Sequence, residues 1–279
     1  MQLLTAPQDD LACCDWLQHE KINVSAAITA DAVELVAHDC PYHPVKDYLL
    51  SCKWDGTKRL DTMMAVYFGA QLSPYSRAIG RMLMVSAVAR IFDPGCKVDT
   101  LTVLEGKQGL LKSTAIKALF EPWFTDEIAD LGSKDAAMQC AGVWCIEIAE
   151  LDAMNKAEVS KVKAFLSRTA DRYRPPYGRR VIERPRSCIF FGSTNNRDYL
   201  KDATGARRFH PLAVGMESNI DVGGLGRDRD LLWGEAVEAY NRGDIWWFSD
   251  PTAEAAIEAS TQQEERYQLD LGAADNRLP

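Results

Sequence analysis

The sequence predicts an α/β fold in which a parallel β-sheet is covered by helices. Three short apolar runs, at 101–104, 143–146 and 187–191, have the length and composition of buried strands. Segments with helical spacing lie between and after them: one begins near residue 113, and the others cover 156–167 and 229–241. A glycine-containing loop joins the first strand to the first of these helices. Strands that alternate with helices in this way are typical of a parallel sheet.

The domain organisation follows from where this alternation begins. Residues 1–95 carry helical patterns, including a strongly apolar helix at 76–92 that Pro94 and Gly95 terminate. We therefore predict an N-terminal helical subdomain at 1–95 and an α/β core at 96–250. An acidic, polar C-terminal helical tail follows at 251–279.

Composition excludes some classes of protein. The chain has 279 residues, 47% of them hydrophobic, and a net charge of -8, so any nucleic-acid contact requires a local basic patch. No apolar run approaches the roughly 18 residues that span a bilayer, and the acidic N-terminus does not resemble a signal peptide. None of the eight cysteines forms a C-x-x-C pair. We expect a cytoplasmic protein with reduced cysteines and no membrane partner.

The glycine loop has the pattern of a phosphate-binding loop. Residues 106–113, GKQGLLKS, match G-x-x-x-x-G-K-S at every position except Leu111, where glycine is usual. Backbone N–H groups would hold the phosphates of ATP, Lys112 would reach the β and γ phosphates, and Ser113 would ligate Mg²⁺. The predicted nucleotide-binding residues are Gly106, Gln108, Gly109, Leu110, Leu111, Lys112, Ser113 and Thr114.

Leu111 is the departure that tests this prediction. If the position requires a positive φ, leucine costs on the order of 1 kcal/mol or more, and if φ is negative, glycine is unnecessary. The Lys-Ser-Thr triplet supplies the required chemical groups, so we predict a working site. The alternative is a turn with a coincidental triplet.

Two carboxylates follow the second predicted strand. Glu147 comes after four apolar residues, the spacing expected of an acid that holds Mg²⁺, and Glu150 lies three residues further on. One of them could orient the attacking water, and the sequence does not divide the roles between them. Without the phosphate loop upstream, an acid in this place would be read as a solvated helix cap.

An arginine-rich segment precedes the third strand. Residues 168–186 contain seven arginines against Asp171 and Glu183, and a Pro-Pro-Tyr-Gly turn at 175–178 predicts a β-hairpin. Charged side chains beside an aromatic ring suit contact with DNA. The candidates are Arg172, Arg174, Tyr177, Arg179 and Arg180. The alternative is an arginine network that pairs with acids of the same or a neighbouring subunit.

Polar residues after the third strand complete the predicted site. Asn195 could sense the γ-phosphate and position water, although an Asn pair also forms ordinary turns. Arg207 and Arg208 suit an arginine finger that reaches the nucleotide of an adjacent subunit, which would require a ring. The alternative is a pair of surface arginines.

Taken together, these motifs resemble the virulence-associated E family, whose members are similar to superfamily 3 helicases within the AAA+ ATPases. The resemblance runs from about residue 43 to about residue 248. It rests on the segments HPVKDYL, KWDGTKRLDT, PGCKVDT, ELD, DRYRPPYGRR, STNNRDYLKD and GARRF together with the phosphate loop.

The resemblance implies an AAA+-like ATPase core and an ATP-driven motor on DNA during replication of a phage or mobile element. It implies a homo-oligomeric ring, expected to be a hexamer, acting on single-stranded or forked DNA. It also implies that the hairpin at 172–186 is the pore element, with Lys163 and Arg168 on the preceding helix. Asn195 matches the sensor of the family and Arg207 or Arg208 its finger. The family often carries a primase domain, which we do not expect in this chain.

Two other functions compete with a helicase or translocase. A small-molecule kinase would share the phosphate loop but would explain neither the arginine hairpin nor a finger acting between subunits. A weakly hydrolysing nucleotide-binding regulator or DNA-binding scaffold is the stronger rival, because Leu111 supports it.

Overall fold

The computed structural model describes residues 7–39, 42–128, 131, 133–151, 154, 156–175, 181–195 and 208–248. The chain divides into two compact units, Met1–Tyr48 and Leu49–Pro279. The sequence pattern placed this boundary at residue 95 instead. The apolar helix before residue 95 falls in the second unit because it packs against the sheet and against the last helix of the core.

The first unit contains two helices that pack against each other, α1 (Pro7–His19) and α2 (Ala26–Asp39). The amide of Gln18 donates to the carbonyl of Val24 at 3.3 Å and fixes the turn between them. A third helix, α3 (Pro44–Ser51), crosses the division between the two units.

The second unit is built on a five-stranded parallel sheet with the strand order β2-β3-β6-β1-β7. Two further strands, β4 and β5, form a separate antiparallel pair. The seven strands are β1 (Leu101–Glu105), β2 (Phe124–Thr125), β3 (Cys145–Ile148), β4 (Ala170–Tyr173), β5 (Ile182–Pro185), β6 (Ile189–Thr194) and β7 (Phe209–Ala213).

The α/β fold predicted from the sequence is confirmed, and helices cover both faces of the sheet. The helices of this unit after α3 are α4 (Met63–Val66), α5 (Pro74–Phe92), α6 (Lys112–Phe120), α7 (Lys134–Gln139), α8 (Lys156–Leu166) and α9 (Val222–Asn241). On one face, apolar side chains of α7 and α8 form a core with the strands. On the other, Trp144 donates its indole N–H to the carbonyl of Ala87 in α5 and stacks against Trp233 of α9.

Helix α9 begins at Val222, seven residues before the predicted start. Its first two turns contain Gly223, Gly224 and Gly226, which are poor helix formers and conceal the helix in the sequence. The structure compensates with a cap, because the Asp221 carboxylate accepts from the Gly224 N–H at 2.8 Å.

The second and third predicted strands each begin two residues later than expected, at Cys145 and Ile189. The chain enters the sheet at Trp144, whose carbonyl accepts from the Ile189 N–H at 3.0 Å, and the β3–β6 ladder starts from there. In consequence, Glu147 lies inside β3 rather than after it.

The arginine-rich segment forms the predicted β-hairpin, with β4 and β5 paired antiparallel. The turn residues 176–180 lie outside the described part of the chain. The base of the hairpin is joined to its surroundings by backbone bonds. The Arg186 N–H donates to Thr169 O at 2.8 Å, and the Gly95 N–H donates to Arg186 O at 2.9 Å. Since β6 begins at Ile189, the hairpin lies at the amino end of β6.

Among the described residues, no helix is both long enough and apolar enough to cross a bilayer.

Candidate nucleotide-binding site

The predicted phosphate-binding loop connects the carboxyl end of β1 to the amino end of α6, as the sequence motif requires. Gly109 has a φ of 85°, which favours glycine. A Cβ at Gly106 would lie 2.8 Å from Leu110 Cδ1 and 3.1 Å from Val214 O, so this position has no room for a side chain. The Leu110 side chain packs against both Gly106 and Gly215. The conformation of the loop therefore depends on its glycines and on Leu110.

Leu111 adopts the left-handed conformation that the sequence left open, with φ 62° and ψ 28°. A non-glycine residue in this region costs about 1–2 kcal/mol. The side chain is 54% exposed, so little burial offsets that cost. Glu150, on the same edge of the sheet, has a φ of 54°. Backbone strain of this kind concentrates at functional sites, so its occurrence on both sides of this edge supports a site here.

Lys112 is buried and folds back over the loop. Its ammonium group donates to Gly106 O at 2.6 Å, to Lys107 O at 3.0 Å and to Asn195 Oδ1 at 3.1 Å. Asn195 directly follows β6, so the structure brings together the lysine and the amide that the sequence analysis separately placed near the γ-phosphate. These three bonds hold the cation at the loop.

Ser113 and Glu147 also meet at this edge. The Ser113 hydroxyl donates to Glu147 Oε1 at 2.7 Å, and the Ser193 hydroxyl donates to the same oxygen at 2.6 Å. Glu147 is only 1% exposed, and its other oxygen, Oε2, has no hydrogen-bond partner among the described residues. An unpartnered buried carboxylate oxygen is costly. A hydroxyl beside a carboxylate also fits the oxygen ligands that Mg²⁺ prefers.

Ser193 is the functional candidate that the sequence analysis missed. It lies two residues before Asn195, so the two side chains share one face of the strand. This period of two was the available signal, because Asn195 was already identified as a site residue. Strand β6 and the residue after it thus contact both the phosphate loop and the carboxylate: Asn195 contacts Lys112, and Ser193 contacts Glu147.

The remaining predicted residues at this edge are more exposed and take less part in the hydrogen bonds of the site. Gln108 and Thr114 are exposed on the loop and on the first turn of α6. Glu150 is exposed two residues past β3, and no hydrogen bond described at this edge includes it. The structure therefore brings together Lys112, Ser113, Glu147 and Asn195, and leaves Glu150 apart from them.

The carboxyl end of β1 is also buried, since Glu105 is 4% exposed. Burial, and then the negative charge of Glu105, raise the pKa of Tyr75 far above its usual range. The Tyr75 hydroxyl donates to Pro211 O at 2.9 Å, which ties α5 to β7. The loop therefore starts from a rigid strand end.

The predicted arginine finger lies at the opposite edge of the sheet. Leu101 and Phe209 pair at the start of the parallel strands β1 and β7, so Arg208 precedes β7 at its amino end. Five strand residues, or about 16 Å, separate this end from the edge that carries the phosphate loop. Arg208 lies 3.8 Å from Asp99 in its own chain. Arg207 is outside the described residues.

The predicted DNA contacts that the structure describes also lie towards this amino edge. Arg172 and Arg174 are exposed on and just after β4. Arg168 lies over the Phe165 ring at 4.9 Å, and Lys163 lies 6.0 Å from the centre of the Phe209 ring at the start of β7. Tyr177, Arg179 and Arg180 fall outside the described residues.

Arg186 differs from the other arginines of this segment, since its side chain is fully buried. Its Nε donates to Asp171 Oδ2 at 2.9 Å and its Nη1 to Phe165 O at 2.7 Å. Burial is the largest influence and lowers the pKa of Arg186, but the hydrogen bonds to Asp171 and the charges of Cys188, Cys140 and Asp171 together raise it. Arg186 is thus structural, and because Asp171 is buried with it, their pairing leaves the excess of positive charge on this segment unchanged.

Comparisons with known proteins agree with this architecture. Three solved structures of the NrS-1 C-terminal region, all without ligand, match with TM-scores of 0.51, 0.52 and 0.51 at 14% sequence identity. Each alignment covers 76% of this chain but only 53–54% of the NrS-1 chain, so this chain spans about half the length of those structures. At this identity, the likeness concerns the fold alone. No curated protein matches.

The match to a protein family extends well beyond the phosphate loop and the hairpin. The family described as the virulence-associated protein E-like domain matches residues 49–268, which is more than half of the sequence and includes the whole described sheet. The chain therefore belongs to the virulence-associated protein E-like domain family.

Proposed function

We propose that this protein is an ATP-hydrolysing motor of the helicase or translocase type, which acts on DNA in a phage or other mobile element. The observation that carries the proposal is the convergence of Lys112, Ser113, Glu147 and Asn195 at one edge of the sheet. Three separate segments supply these groups, so a coincidental Lys-Ser-Thr turn does not account for them.

Each of these groups has a role that its contacts support. Lys112 is already held at the loop, and a triphosphate would replace the carbonyls of Gly106 and Lys107 as acceptors for its ammonium group. Asn195, bonded to the same ammonium, would lie close enough to bind the terminal phosphate or a water beside it. The amides before α6 supply further donors to anionic oxygens.

The Ser113–Glu147 pair fits a magnesium ion. The Ser113 hydroxyl gives its hydrogen to Glu147 and keeps its lone pairs for a cation, and Glu147 Oε2 is available for a metal-bound water. When bound, Mg²⁺ would neutralise the charge that develops on the phosphates. We assign the metal-linked role to Glu147, which is buried in contact with Ser113, and leave Glu150 as the candidate for orienting water.

The position of Arg208 supports hydrolysis at subunit interfaces. Arg208 lies at the amino ends of the strands, and its own phosphate loop lies at their carboxyl ends. It could therefore reach a nucleotide only on another subunit. The proposed active unit is therefore a homo-oligomeric ring, in which one subunit supplies Lys112 and its neighbour supplies Arg208.

The hairpin supports DNA as the partner. Arg172 and Arg174 are exposed on a β-hairpin, where charge can reach a phosphate backbone without displacing the core. In a ring, hairpins at the same edge of every subunit would project towards a common strand.

A nucleotide-binding regulator or DNA-binding scaffold remains the second candidate. Leu111 favours it, because an exposed left-handed leucine strains the loop, and strain can reduce the affinity of the loop for a triphosphate.

The deciding experiment measures ATP hydrolysis with and without single-stranded DNA. We expect DNA to raise the rate of the wild type and Lys112→Ala to abolish it. The matched control is Lys117→Ala, since Lys117 lies on the same helix and, among the described residues, its ammonium group forms an exposed ion pair with Glu121 at 3.5 Å. Control and wild type should hydrolyse at the same rate. A wild type equally slow in both conditions would favour the scaffold, and hydrolysis by Lys112→Ala would contradict the proposed site.

A mixing experiment tests the shared site. Arg208→Ala and Lys112→Ala should each be inactive alone, and an equimolar mixture should regain activity at interfaces that combine an intact Lys112 with an intact Arg208. Asp99→Asn removes the partner of Arg208 within the chain without removing the arginine. If Asp99→Asn were as inactive as Arg208→Ala and the mixture stayed inactive, Arg208 would have only a local structural role.

A further inference from the structure

We infer that Ser193 is a positioning residue, which fixes the Glu147 carboxylate so that Oε1 is occupied and Oε2 stays available for the metal-bound water. This inference rests on the proposed ATPase function and deepens it. It concerns a residue that begins the STNNRDYLKD segment but to which the sequence analysis assigned no role.

The Glu147 side chain needs such a constraint. The terminal torsion of a glutamate is soft and roughly two-fold, so the carboxylate can turn and exchange its two oxygens. A single donor from Ser113 would hold one oxygen but leave the plane of the group free to rotate. Two hydroxyl hydrogens reach Oε1 from different elements, one from α6 at 2.7 Å and one from β6 at 2.6 Å. Together they define which oxygen is used and how the group is oriented.

Ser193 is the better anchor of the two serines. Ser113 is exposed and has a second duty as the proposed metal ligand, whereas Ser193 is 6% exposed and is the fifth residue of the six-residue strand β6. Ser193 is paired with Leu104 of β1, and the residue before it, Gly192, is paired with Ile148 of β3, so the backbone that carries this hydroxyl is held by the sheet. Its one hydrogen is committed to Glu147.

The consequence of removing Ser193 is a specific kinetic pattern. Ser193→Ala deletes one oxygen in a buried position and leaves the loop, Lys112 and Ser113 in place. Binding of the nucleotide should therefore be retained, while the step that depends on the orientation of Glu147 slows. Partners of this kind, one step removed from a metal, typically change metal affinity or activity by about 10–100-fold when mutated.

The test compares kcat and KM for ATP, and the Mg²⁺ concentration that gives half-maximal rate, in four full-length variants with DNA present. Ser193→Ala should lower kcat about 10–100-fold and raise the Mg²⁺ requirement without raising KM for ATP. Ser193→Thr keeps the hydroxyl and should restore most of the rate. Ser193→Cys keeps the volume but is a weak donor, so it should fall between Ala and the wild type.

The matched control is Ser86→Ala. Ser86 is also buried, and its hydroxyl donates to Leu83 O at 2.9 Å within α5, with no described bond to the site. This variant shows how far the loss of a buried serine hydroxyl away from the site changes kcat and thermal unfolding. We expect its kcat to match the wild type. Thermal unfolding of each variant gives its folded fraction, and the cysteine variant keeps the series informative if threonine does not fit.

Three outcomes decide whether Ser193 positions the Glu147 carboxylate. If Ser193→Ala retains the wild-type kcat, or loses no more than Ser86→Ala, the positioning role is wrong while the proposed function stands. If kcat falls only in Ser193→Ala and recovers with threonine or partly with cysteine, the role is supported. If the wild type itself shows no hydrolysis that depends on Lys112, the proposed function fails, and this inference fails with it.

Discussion

The two ends of strand β6 hold their buried charges in opposite ways. At the amino end, Arg186 pairs with Asp171 through two nitrogens, donates to Phe165 O and lies 4.5 Å over the Phe165 ring. At the carboxyl end, Glu147 receives two hydroxyl hydrogens on one oxygen, and its other oxygen has no partner among the described residues. Burial is nearly complete at both places.

The amino end therefore has the features of a structural ion pair, and the carboxyl end has those of a group that binds a ligand. A buried ion pair is strongly destabilising to break, because removing one partner leaves the other charge buried and uncompensated. A buried carboxylate with one unused oxygen costs folding free energy as it stands, and a ligand can recover that cost. We therefore expect substitutions at the amino end to change stability, and substitutions at the carboxyl end to change catalysis.

The largest expected effect is at the carboxyl end. Glu147→Gln keeps the shape and an acceptor for the two serines but removes the negative charge that would hold the metal-bound water. Since a bound metal contributes several kcal/mol of transition-state stabilisation, hydrolysis should fall about 10²–10⁴-fold. Nucleotide binding, followed with a fluorescent ATP analogue, should be retained, and so should the unfolding midpoint.

Glu150→Gln is the matched control for this prediction, because Glu150 is exposed at the same edge. A smaller loss is expected there, in line with a role in orienting water. If Glu150→Gln were inactive and Glu147→Gln were active, the roles of the two acids would have to be exchanged.

At the amino end, the expected effect is on stability. Arg186→Ala leaves Asp171 buried without its partner, so the free energy of unfolding should fall by about 3–5 kcal/mol. Urea denaturation of the full chain measures this change. Arg172→Ala, on the exposed face of the same hairpin, should change it by less than about 0.5 kcal/mol. Equal changes in the two variants would remove the contrast between the ends of β6.

A smaller effect is expected at the strained loop. Leu111→Gly relieves the left-handed strain but adds freedom to the unfolded chain, so the free energy of unfolding should rise by up to about 1 kcal/mol. ATP affinity should not decrease. The neighbouring Leu110→Ala removes a side chain that packs on Gly106 and Gly215, and should destabilise the protein instead. A loss of hydrolysis in Leu111→Gly would show that the leucine side chain itself has a function.

The smallest expected effect is at the hairpin surface. Arg172→Ala should weaken binding to single-stranded DNA modestly and reduce the slope of log K against log salt concentration by about 1, as expected for one lost phosphate contact. Fluorescence anisotropy at several salt concentrations measures this slope. Arg77→Ala is the control, because Arg77 is exposed near the start of α5, about 22 Å from the end of the helix that adjoins the hairpin. Identical slopes in both variants would count against the hairpin as the DNA contact.

Local patterns predicted a large part of this molecule. Apolar runs identified the central strands, and the loop motif placed Lys112 and Ser113 at the start of a helix, because strand composition and turn chemistry are local properties. The approach of Glu147 to Ser113 was anticipated only as a shared edge. The hydrogen bond itself depends on the register of β3 against β6, which starts at Trp144 and is not encoded within either strand.

The sequence was least informative where burial depends on distant partners. Arg186 looked like its basic neighbours because nothing adjacent to it reveals that Asp171 and Phe165 enclose it. Ser193 looked like a strand residue because its acceptor is 46 positions away. The early start of α9 was hidden by glycines that a cap at Asp221 offsets. The conformation of Leu111 was stated as two alternatives, and only the backbone decided between them.

The direct succession of hairpin and β6 limits how the proposed motor could move DNA. β6 is a strand of about 20 Å, hydrogen-bonded along both sides, and sliding it by one residue would break two ladders at once. The hairpin base and Asn195 are therefore at a constant separation within a subunit. In the proposed motor, a stroke that moves DNA relative to the nucleotide must come from rotation of whole subunits or from movement outside this strand, and not from stretching of β6.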